Sequence, residues 1–280
     1  MGSRGTTTNV TGSGTTPAVT ASTAAQGQIQ PEDTPQIVAT QQQAQTANDA
    51  NFSATDDGDY RDLEGRLRDY YAKQTFDIDT QMAAQDYLYD KPVGGIYSPS
   101  QEMNYKLKHA GEPGVAPLTP QEEFMRDAMM DGMHNLGQNM ILEHYGRISY
   151  VDAFGKLSQQ MGLSNQAITA NNFGSMSEAS LKKAFVGVTY SEKGFVSTSA
   201  NHFAKAPAGN PFTDKAVKIT VKAPASAQGL MPGNGPGGAL GEMVLAPNQN
   251  YRITDVKFTG KTGRSGASSY KQIEFIVEMF

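Results

Sequence analysis

The amino-acid sequence predicts an α+β fold, in which helices come first and mostly antiparallel strands follow. Up to about residue 185, apolar residues recur at helical spacing, as in TPQEEFMRDAMMDGMHNL at 119–136. Beyond residue 215 the apolar period falls to two, as in AVKITVKA at 216–223 and QIEFIVEMF at 272–280. Helical segments that precede a run of strands, instead of alternating with them, are typical of α+β domains.

Composition divides the chain into three parts. The first 50 residues contain no aromatic side chain and only four charged ones, and Thr, Gln, Ala, Gly and Ser dominate them. Such a segment buries too little apolar surface to offset the entropy of ordering the chain. We therefore predict a disordered tail over 1–55, a helical lead-in without an assigned role over 56–118, and an α+β domain over 119–280.

The helical segments are predicted from apolar spacing and from capping signals. Thr119 is predicted to cap a helix, with Glu122 closing a capping box, and Ser175 with Glu178 predicts a second box. The predicted apolar face of the first of these helices consists of Phe124, Ala128, Met129, Met133 and Leu136. Further helices are predicted over 59–73, 100–110 and 151–162.

Several function classes are disfavoured by composition. The net charge of −5 argues against a surface that binds nucleic acid. The chain has no cysteine, and its four histidines show no ligand spacing, so no metal site is predicted. No apolar run reaches membrane-spanning length, and the N-terminus lacks the apolar region of a signal peptide.

The stretch GNGPGG at 233–238 matches the glycine pattern of dinucleotide-binding folds, but its surroundings do not fit. That fingerprint requires a strand before it and a helix that opens on its last glycine. Here Pro236 interrupts the turn, and MVLAP at 243–247 has the pattern of a short strand ended by proline. We interpret the glycines as a mobile loop that leads to Glu242.

Three short stretches carry residues that could do chemistry. EKGFVSTSAN at 192–201 places Ser197, Thr198 and Ser199 at the end of a strand, where small hydroxyls also serve as helix caps. GEMVLAPNQNYRITDV at 241–256 begins a strand with Glu242, and a carboxylate there is also typical of a solvated strand edge.

The third stretch is MILEHYGRISY at 140–150, an apolar strand that ends in polar groups. His144 and Arg147 are both candidates to contact an anion, and Arg suits a bidentate phosphate contact better. An arginine on a solvated turn is the alternative interpretation.

Taken in chain order, GFVSTS followed by GEMVLAPNQNYRI resembles the mono-ADP-ribosyltransferase family. The most similar class is the arginine–serine–glutamate class, which includes clostridial actin-modifying toxins and phage-encoded transferases. The resemblance covers roughly residues 119–280 and implies a toxin-like or phage-encoded member. It also implies an ADP-ribosyltransferase-like fold of two packed, mostly antiparallel sheets with N-terminal helices, which binds NAD in a cleft between the sheets.

The resemblance further implies roles for individual residues. Ser197 would hold and orient Glu242, which would stabilise the positive charge that develops on the ribose as nicotinamide leaves. Thr198 and Ser199 would brace the site and help to bind NAD. The phosphates of NAD would be held by Arg147, or else by His144.

Residues 240 and 241 would belong to the loop that meets the acceptor. Many family members carry Glu or Gln two positions before the catalytic glutamate, where this chain has Leu240 followed by Gly241. Leu240 cannot form a hydrogen bond, so an arginine acceptor does not follow from the sequence.

The expected activity is transfer of ADP-ribose from NAD to a macromolecule, with no metal. The alternatives are an NAD glycohydrolase and a non-catalytic phage virion or interaction protein that keeps the fold. Expected partners are a host protein or another macromolecule, and other virion proteins; nucleic acid is disfavoured and no membrane is expected. The expected location is the phage virion or the cytoplasm of a bacterial host. Secretion as a toxin is the less favoured alternative.

Overall fold

The structure is a computed structural model that describes residues 76–88, 98–137, 139–200, 214–231 and 242–280. The predicted tail over 1–55, the predicted helix over 59–73 and the glycine loop at 233–238 lie outside the described residues, as do Leu240 and Gly241.

Five α-helices occur in the described residues, and most begin at a capping side chain. They are α1 (Ile78–Leu88), α2 (Pro99–Lys108), α3 (Pro120–Asp131), α4 (Ser149–Gln160) and α5 (Glu178–Phe185). Thr119 and Glu122 form the predicted capping box at α3. The second predicted box is wrong, because Ser177 caps α5 by accepting the Ser180 backbone N–H, whereas Ser175 lies in a preceding 3₁₀ turn.

The predicted apolar face of α3 is correct at Ala128 and Met129 but wrong at both ends. The helix ends at Asp131, so Met133 and Leu136 lie beyond it. Phe124 is 50% exposed, whereas its neighbour Met125 is 3% exposed and packs in the core. Met125 precedes Ala128 and Met129 by three and four residues, so these three side chains form one stripe on the helix.

Within the described ranges, nine strands form one hydrogen-bonded sheet in the order β1-β6-β7-β4-β2-β5-β9-β8-β3. The strands are β1 (His134–Asn135), β2 (Met140–Gly146), β3 (Thr189–Glu192), β4 (Val196–Ser199), β5 (Val217–Ala223), β6 (Gln228–Leu230), β7 (Glu242–Leu245), β8 (Gln249–Ser265) and β9 (Ser268–Met279). Every pairing is antiparallel except β5 with β9. The α+β class and the mostly antiparallel strands are confirmed.

The two sheets that the resemblance implies correspond to two halves of this sheet. One half contains β1, β6, β7 and β4, and the other contains β2, β5, β9, β8 and β3. The halves are joined where β4 meets β2, and among the described residues one pair is in register there, Glu143 with Ser199. Strands β2 and β5, by contrast, are paired along seven positions.

Two apolar clusters hold the described residues together. The main core joins both halves of the sheet to α4 and α5, with Leu142, Phe275 and Met243 among its fully buried members. A second cluster, the helical core, lies between helices α1–α3 and the half of the sheet that contains β6, β7 and β4. The helical core consists of Ala83, Ala84, Tyr87, Met103, Met125, Ala128, Met129, Phe195, Leu230 and Val244.

Gly155 on α4 lies against the backbone at Ile168, and this contact yields a stability prediction. A Cβ at residue 155 would clash with the Ile168 carbonyl oxygen, which is backbone and cannot rotate away. We therefore expect Gly155→Ala to destabilise the fold by about 2 kcal/mol, although alanine favours a helix. Urea unfolding measures the loss.

The matched control for this prediction is Gly174→Ala. A Cβ at Gly174 would meet no atom within 4 Å, and the residue does not require a positive φ. We expect this change to stay within about 0.5 kcal/mol of the parent protein. Equal losses in the two variants would show that the close packing at Gly155 does not limit stability.

Candidate active site

The pairing of β4 with β7 brings the predicted serine and glutamate motifs together. Ser199 lies directly opposite Glu242, and Ser197 lies opposite Val244. Because side chains alternate along a strand, Ser197, Ser199 and Glu242 project from one face of the sheet. Glu242 is half-buried there and Ser199 is 8% exposed. Two segments more than 40 residues apart in sequence thus form one polar patch.

Thr198 projects from the opposite face, where it is buried against the main core. Its Oγ1 donates a hydrogen bond to the carbonyl oxygen of Met243 at 2.7 Å. This bond ties β4 to β7 between the two serine positions, which is a bracing contact. The prediction that Thr198 also helps to bind NAD stays a prediction.

Helices α1 and α2 cover the face of the sheet that carries Ser197. Ser197 Oγ donates a hydrogen bond to the hydroxyl of Tyr87, at 3.2 Å. Asn104 on α2 donates its amide N–H to the same hydroxyl at 2.9 Å, and its Oδ1 accepts the backbone N–H of Phe195 at 2.9 Å. Hydrogen bonds to α1 and α2 therefore fix β4 and the residue that precedes it.

Tyr87 is buried among apolar side chains, and the negative charge of Glu242 acts on its hydroxyl. The ring is 4% exposed and packs edge-on against Phe195, with 5.8 Å between ring centroids. The pKa of Tyr87 is raised to about 12, mainly by burial; the bonds from Ser197 and Asn104 oppose the rise, and the Glu242 carboxylate contributes to it. Tyr87 is therefore neutral at physiological pH and keeps its proton.

His144 is half-buried on β2, on the same face as Leu142 and the main core. Burial lowers the pKa of His144, so the ring is neutral, and Nδ1 donates to the carbonyl oxygen of Ser197 at 2.8 Å. The Tyr150 hydroxyl lies 3.4 Å from Nε2, which accepts in this tautomer. Both ring nitrogens therefore contact the protein itself, and a phosphate contact by His144 stays a prediction.

Arg147 lies one residue beyond the end of β2, at an exposed position. A guanidinium there is open to solvent and to a ligand. Its contact with the phosphates of NAD stays a prediction.

Next to the serine and glutamate positions, the same face of the sheet carries a buried charge cluster. Glu143, the register partner of Ser199, accepts from Lys218 Nζ at 2.7 Å, and Glu274 lies 3.1 Å from the same nitrogen. The hydroxyls of Tyr145 and Thr220 donate to Glu143 and Glu274, respectively. The side chains of Glu143 and Glu274 are 5% and 8% exposed, so this part of the face is polar and internally paired.

No group of three or more His, Asp or Glu side chains within the described ranges is arranged to hold a metal ion. No helix among the residues with described structure is long and apolar enough to cross a membrane.

Sequence reasoning missed Tyr87 and Asn104. Both lie in the segment 75–118, whose apolar pattern is mixed, and they reach the site only through contacts 110 and 91 residues away in sequence. A weak signal exists for α1, because the Asp77 carboxylate accepts the Thr80 backbone N–H, a capping pattern visible in DIDT at 77–80.

No protein-family model matches the chain, and no curated protein matches it. Solved structures do. Plx2a, an ADP-ribosyltransferase toxin from Paenibacillus larvae, matches with a TM-score of 0.51 and 19% identity, over 79% of this chain and 96% of its own. The C3 exoenzyme of Clostridium limosum matches with a TM-score of 0.54 and 15% identity, over 79% and 94% of the two chains.

C3stau2 from Staphylococcus aureus, whose structure was solved with NAD, matches with a TM-score of 0.53 and 16% identity, over 81% of this chain and 97% of its own. At these identities the similarity establishes the fold. Its extent is larger than residues 119–280 alone supply, so the shared fold includes part of the chain upstream of residue 119.

Proposed function

Because the chain has the fold of C3-like mono-ADP-ribosyltransferases, we propose that it transfers ADP-ribose from NAD to a macromolecular acceptor. The observation that carries this proposal is the pairing of β4 with β7, which sets Glu242 opposite Ser199 and on the same face as Ser197. The solved relative with NAD supports NAD as the substrate. Fold alone does not define an activity, so the proposal depends on this site.

In the proposed reaction, the bond between nicotinamide N1 and ribose C1′ breaks, and its electron pair leaves with nicotinamide. The ribose gains oxocarbenium character, and the Glu242 carboxylate stabilises that positive charge. Because the charge exists only near the transition state, this interaction lowers the barrier more than it tightens substrate binding. A nucleophile of the acceptor then attacks C1′ and loses its proton.

The remaining predicted residues complete the proposed site. Ser197 and Ser199 would contact the nicotinamide ribose side of NAD, with Thr198 bracing them from behind through Met243. Arg147 is our first choice for the phosphate contact, because it is exposed and carries a permanent charge.

The acceptor we propose is a macromolecule of a bacterial host cell, modified by a toxin-like or phage-borne enzyme. Leu240, in the proposed acceptor loop, offers no hydrogen bond to align an arginine side chain. Water as the acceptor would make the protein an NAD glycohydrolase, and no turnover would make it an interaction module that keeps the fold.

These outcomes are separated by incubating the full chain with NAD labelled in the adenylate moiety, with and without bacterial lysate. Nicotinamide release with label on a macromolecule supports the transferase. Release with all label in free ADP-ribose supports the glycohydrolase. No release in either condition contradicts both enzymatic proposals and leaves the interaction protein.

Comparison of Arg147→Ala with His144→Ala tests which residue holds the NAD phosphates. Loss of a charged hydrogen bond costs about 1.5–3 kcal/mol, so we expect Arg147→Ala to weaken NAD binding about tenfold or more. Its urea midpoint should not change, because the side chain is exposed. We expect His144→Ala to lower the midpoint, because it removes the bonds to Ser197 and Tyr150. Titration calorimetry with NAD measures the affinities, and unchanged affinity in Arg147→Ala would contradict this assignment.

A further inference from the structure

The Ser197 hydroxyl is committed to a partner other than Glu242. A serine hydroxyl has one proton to donate, and Ser197 donates it to the oxygen of Tyr87. A direct bond from Ser197 to the Glu242 carboxylate needs that same proton. In this arrangement Ser197 therefore orients Tyr87 and not the glutamate.

The Tyr87 oxygen accepts a second bond, from Asn104 on the neighbouring helix. Asn104 is itself fixed, because its Oδ1 accepts the Phe195 backbone N–H, two residues before Ser197. When two donors occupy two directions around a phenol oxygen, its own O–H must point in the remaining direction. Among the described contacts Tyr87 accepts twice and donates to none.

Glu242 lies diagonally across the β4–β7 pair from Ser197, a separation that long side chains can span. Ser197 and Glu242 project from the same face of the β4–β7 pair, and Tyr87 lies over that face in contact with Ser197. The negative charge of the carboxylate also contributes to the raised pKa of Tyr87. A carboxylate is a strong acceptor for a phenol O–H in such a dry setting.

We propose that Tyr87 is a positioning residue that links Ser197 to Glu242. Ser197 and Asn104 fix the tyrosine oxygen, and the tyrosine donates its O–H to the Glu242 carboxylate. This assignment rests on the proposed function for its catalytic meaning, but the contact itself does not depend on activity. It gives the helices upstream of residue 119 a role in the site, because both Tyr87 and Asn104 belong to them.

The kinetic test uses Tyr87→Phe, which keeps the ring and its packing on Phe195 and removes only the hydroxyl. Loss of a hydrogen bond to a charged group predicts a fall of about tenfold in kcat for nicotinamide release, with KM for NAD within about twofold. If Ser197 acts through Tyr87, the double variant Tyr87→Phe/Ser197→Ala should be no slower than Ser197→Ala alone. Effects that multiply in the double variant would overturn the link.

The matched control is Tyr105→Phe, at a tyrosine on α2 that is 53% exposed and lies outside the site. Its kcat and KM should equal those of the parent protein. A tenfold loss in this variant would assign the effect of Tyr87→Phe to general disturbance of the helices.

An unfolding cycle tests the contact without any turnover. Tyr87→Phe, Glu242→Ala and the double variant are unfolded in urea as full-length chains. If Tyr87 donates to Glu242, the double variant should lose clearly less than the sum of the two single losses. Strict additivity would overturn the proposed contact, even if the parent protein releases nicotinamide. Non-additivity in a protein without NAD turnover would instead retain the contact and contradict the proposed function.

Discussion

Replacing Glu242 with glutamine is expected to slow nicotinamide release by about 10²–10³-fold, a loss typical of removing one group that stabilises transition-state charge. Glutamine keeps the shape and an acceptor oxygen but not the negative charge that opposes the developing cation. Because Glu242 begins β7 and is half-buried, the change should leave the fold intact. Initial rates of nicotinamide release at saturating NAD measure the effect.

The control for this change is Glu112→Gln, at an exposed carboxylate that pairs with His109. It alters the net charge of the protein by the same amount and should leave the rate unchanged. NAD affinity should stay within about threefold in Glu242→Gln, since the lost interaction belongs to the transition state. Full turnover by Glu242→Gln would show that another group carries the charge stabilisation.

Replacing Lys218 with methionine is expected to destabilise the fold by about 3 kcal/mol. Breaking a buried ion pair on one side leaves a charge without its partner, which costs about 3–5 kcal/mol. Lys218 contacts both Glu143 and Glu274, whose side chains are 5% and 8% exposed. The expected loss is at the lower end because Lys218 itself keeps 19% of its side-chain exposure and Lys257 still faces Glu274. Urea unfolding with linear extrapolation measures it.

Lys222→Met provides a control on the same strand and the same face. Lys222 has the same 19% exposure, but among the described residues it meets one carboxylate, Glu278, at 3.5 Å, and that side chain is 19% exposed. We expect a loss of no more than about 1 kcal/mol, as for partly exposed pairs. Equal losses in the two variants would show that the Glu143–Lys218–Glu274 cluster contributes no more to the free energy of unfolding than a partly exposed ion pair does.

The strands of the site were predictable because their signal is local. Apolar residues at every second position define β5 and β9, and β7 follows the proline-bounded MVLAP pattern. The serine and glutamate motifs were recognisable by residue type and spacing. Their pairing in register, Ser199 opposite Glu242, is the feature that the fold adds.

Predictions that depended on the exact position of a cap or a stripe were less secure. Both Ser175 and Ser177 have a polar residue three positions later, Glu178 and Ser180. Ser177 caps α5 because its backbone is extended, whereas Ser175 is held in a turn by its contacts with Asn172. Spacing alone does not separate the two.

The contacts of Tyr87 and Asn104 lay beyond sequence reasoning for a different reason. α1 was not predicted, since IDTQMAAQDYL at 78–88 mixes polar and apolar residues without a clear stripe. Its importance comes from the contact of Tyr87 with Ser197 on β4, 110 positions later in the sequence. No local pattern in a single sequence encodes such a pairing.

Strands β4 and β7 are covered on both faces, by the main core on one and by the helical core on the other, and this limits how far the chain can be shortened. Thr198 and Met243 face the main core, whereas Val244 and the Ser197 hydroxyl are enclosed by α1 and α2. A fragment that begins at residue 119 would lack α1 and α2, so this second side would be exposed to water and Ser197 would lose its hydrogen bond to Tyr87. We therefore expect that a fragment must begin upstream of Ile78 to keep Ser197 ordered, and that trimming from the N-terminus disturbs Ser197 well before it reaches any residue of the sheet.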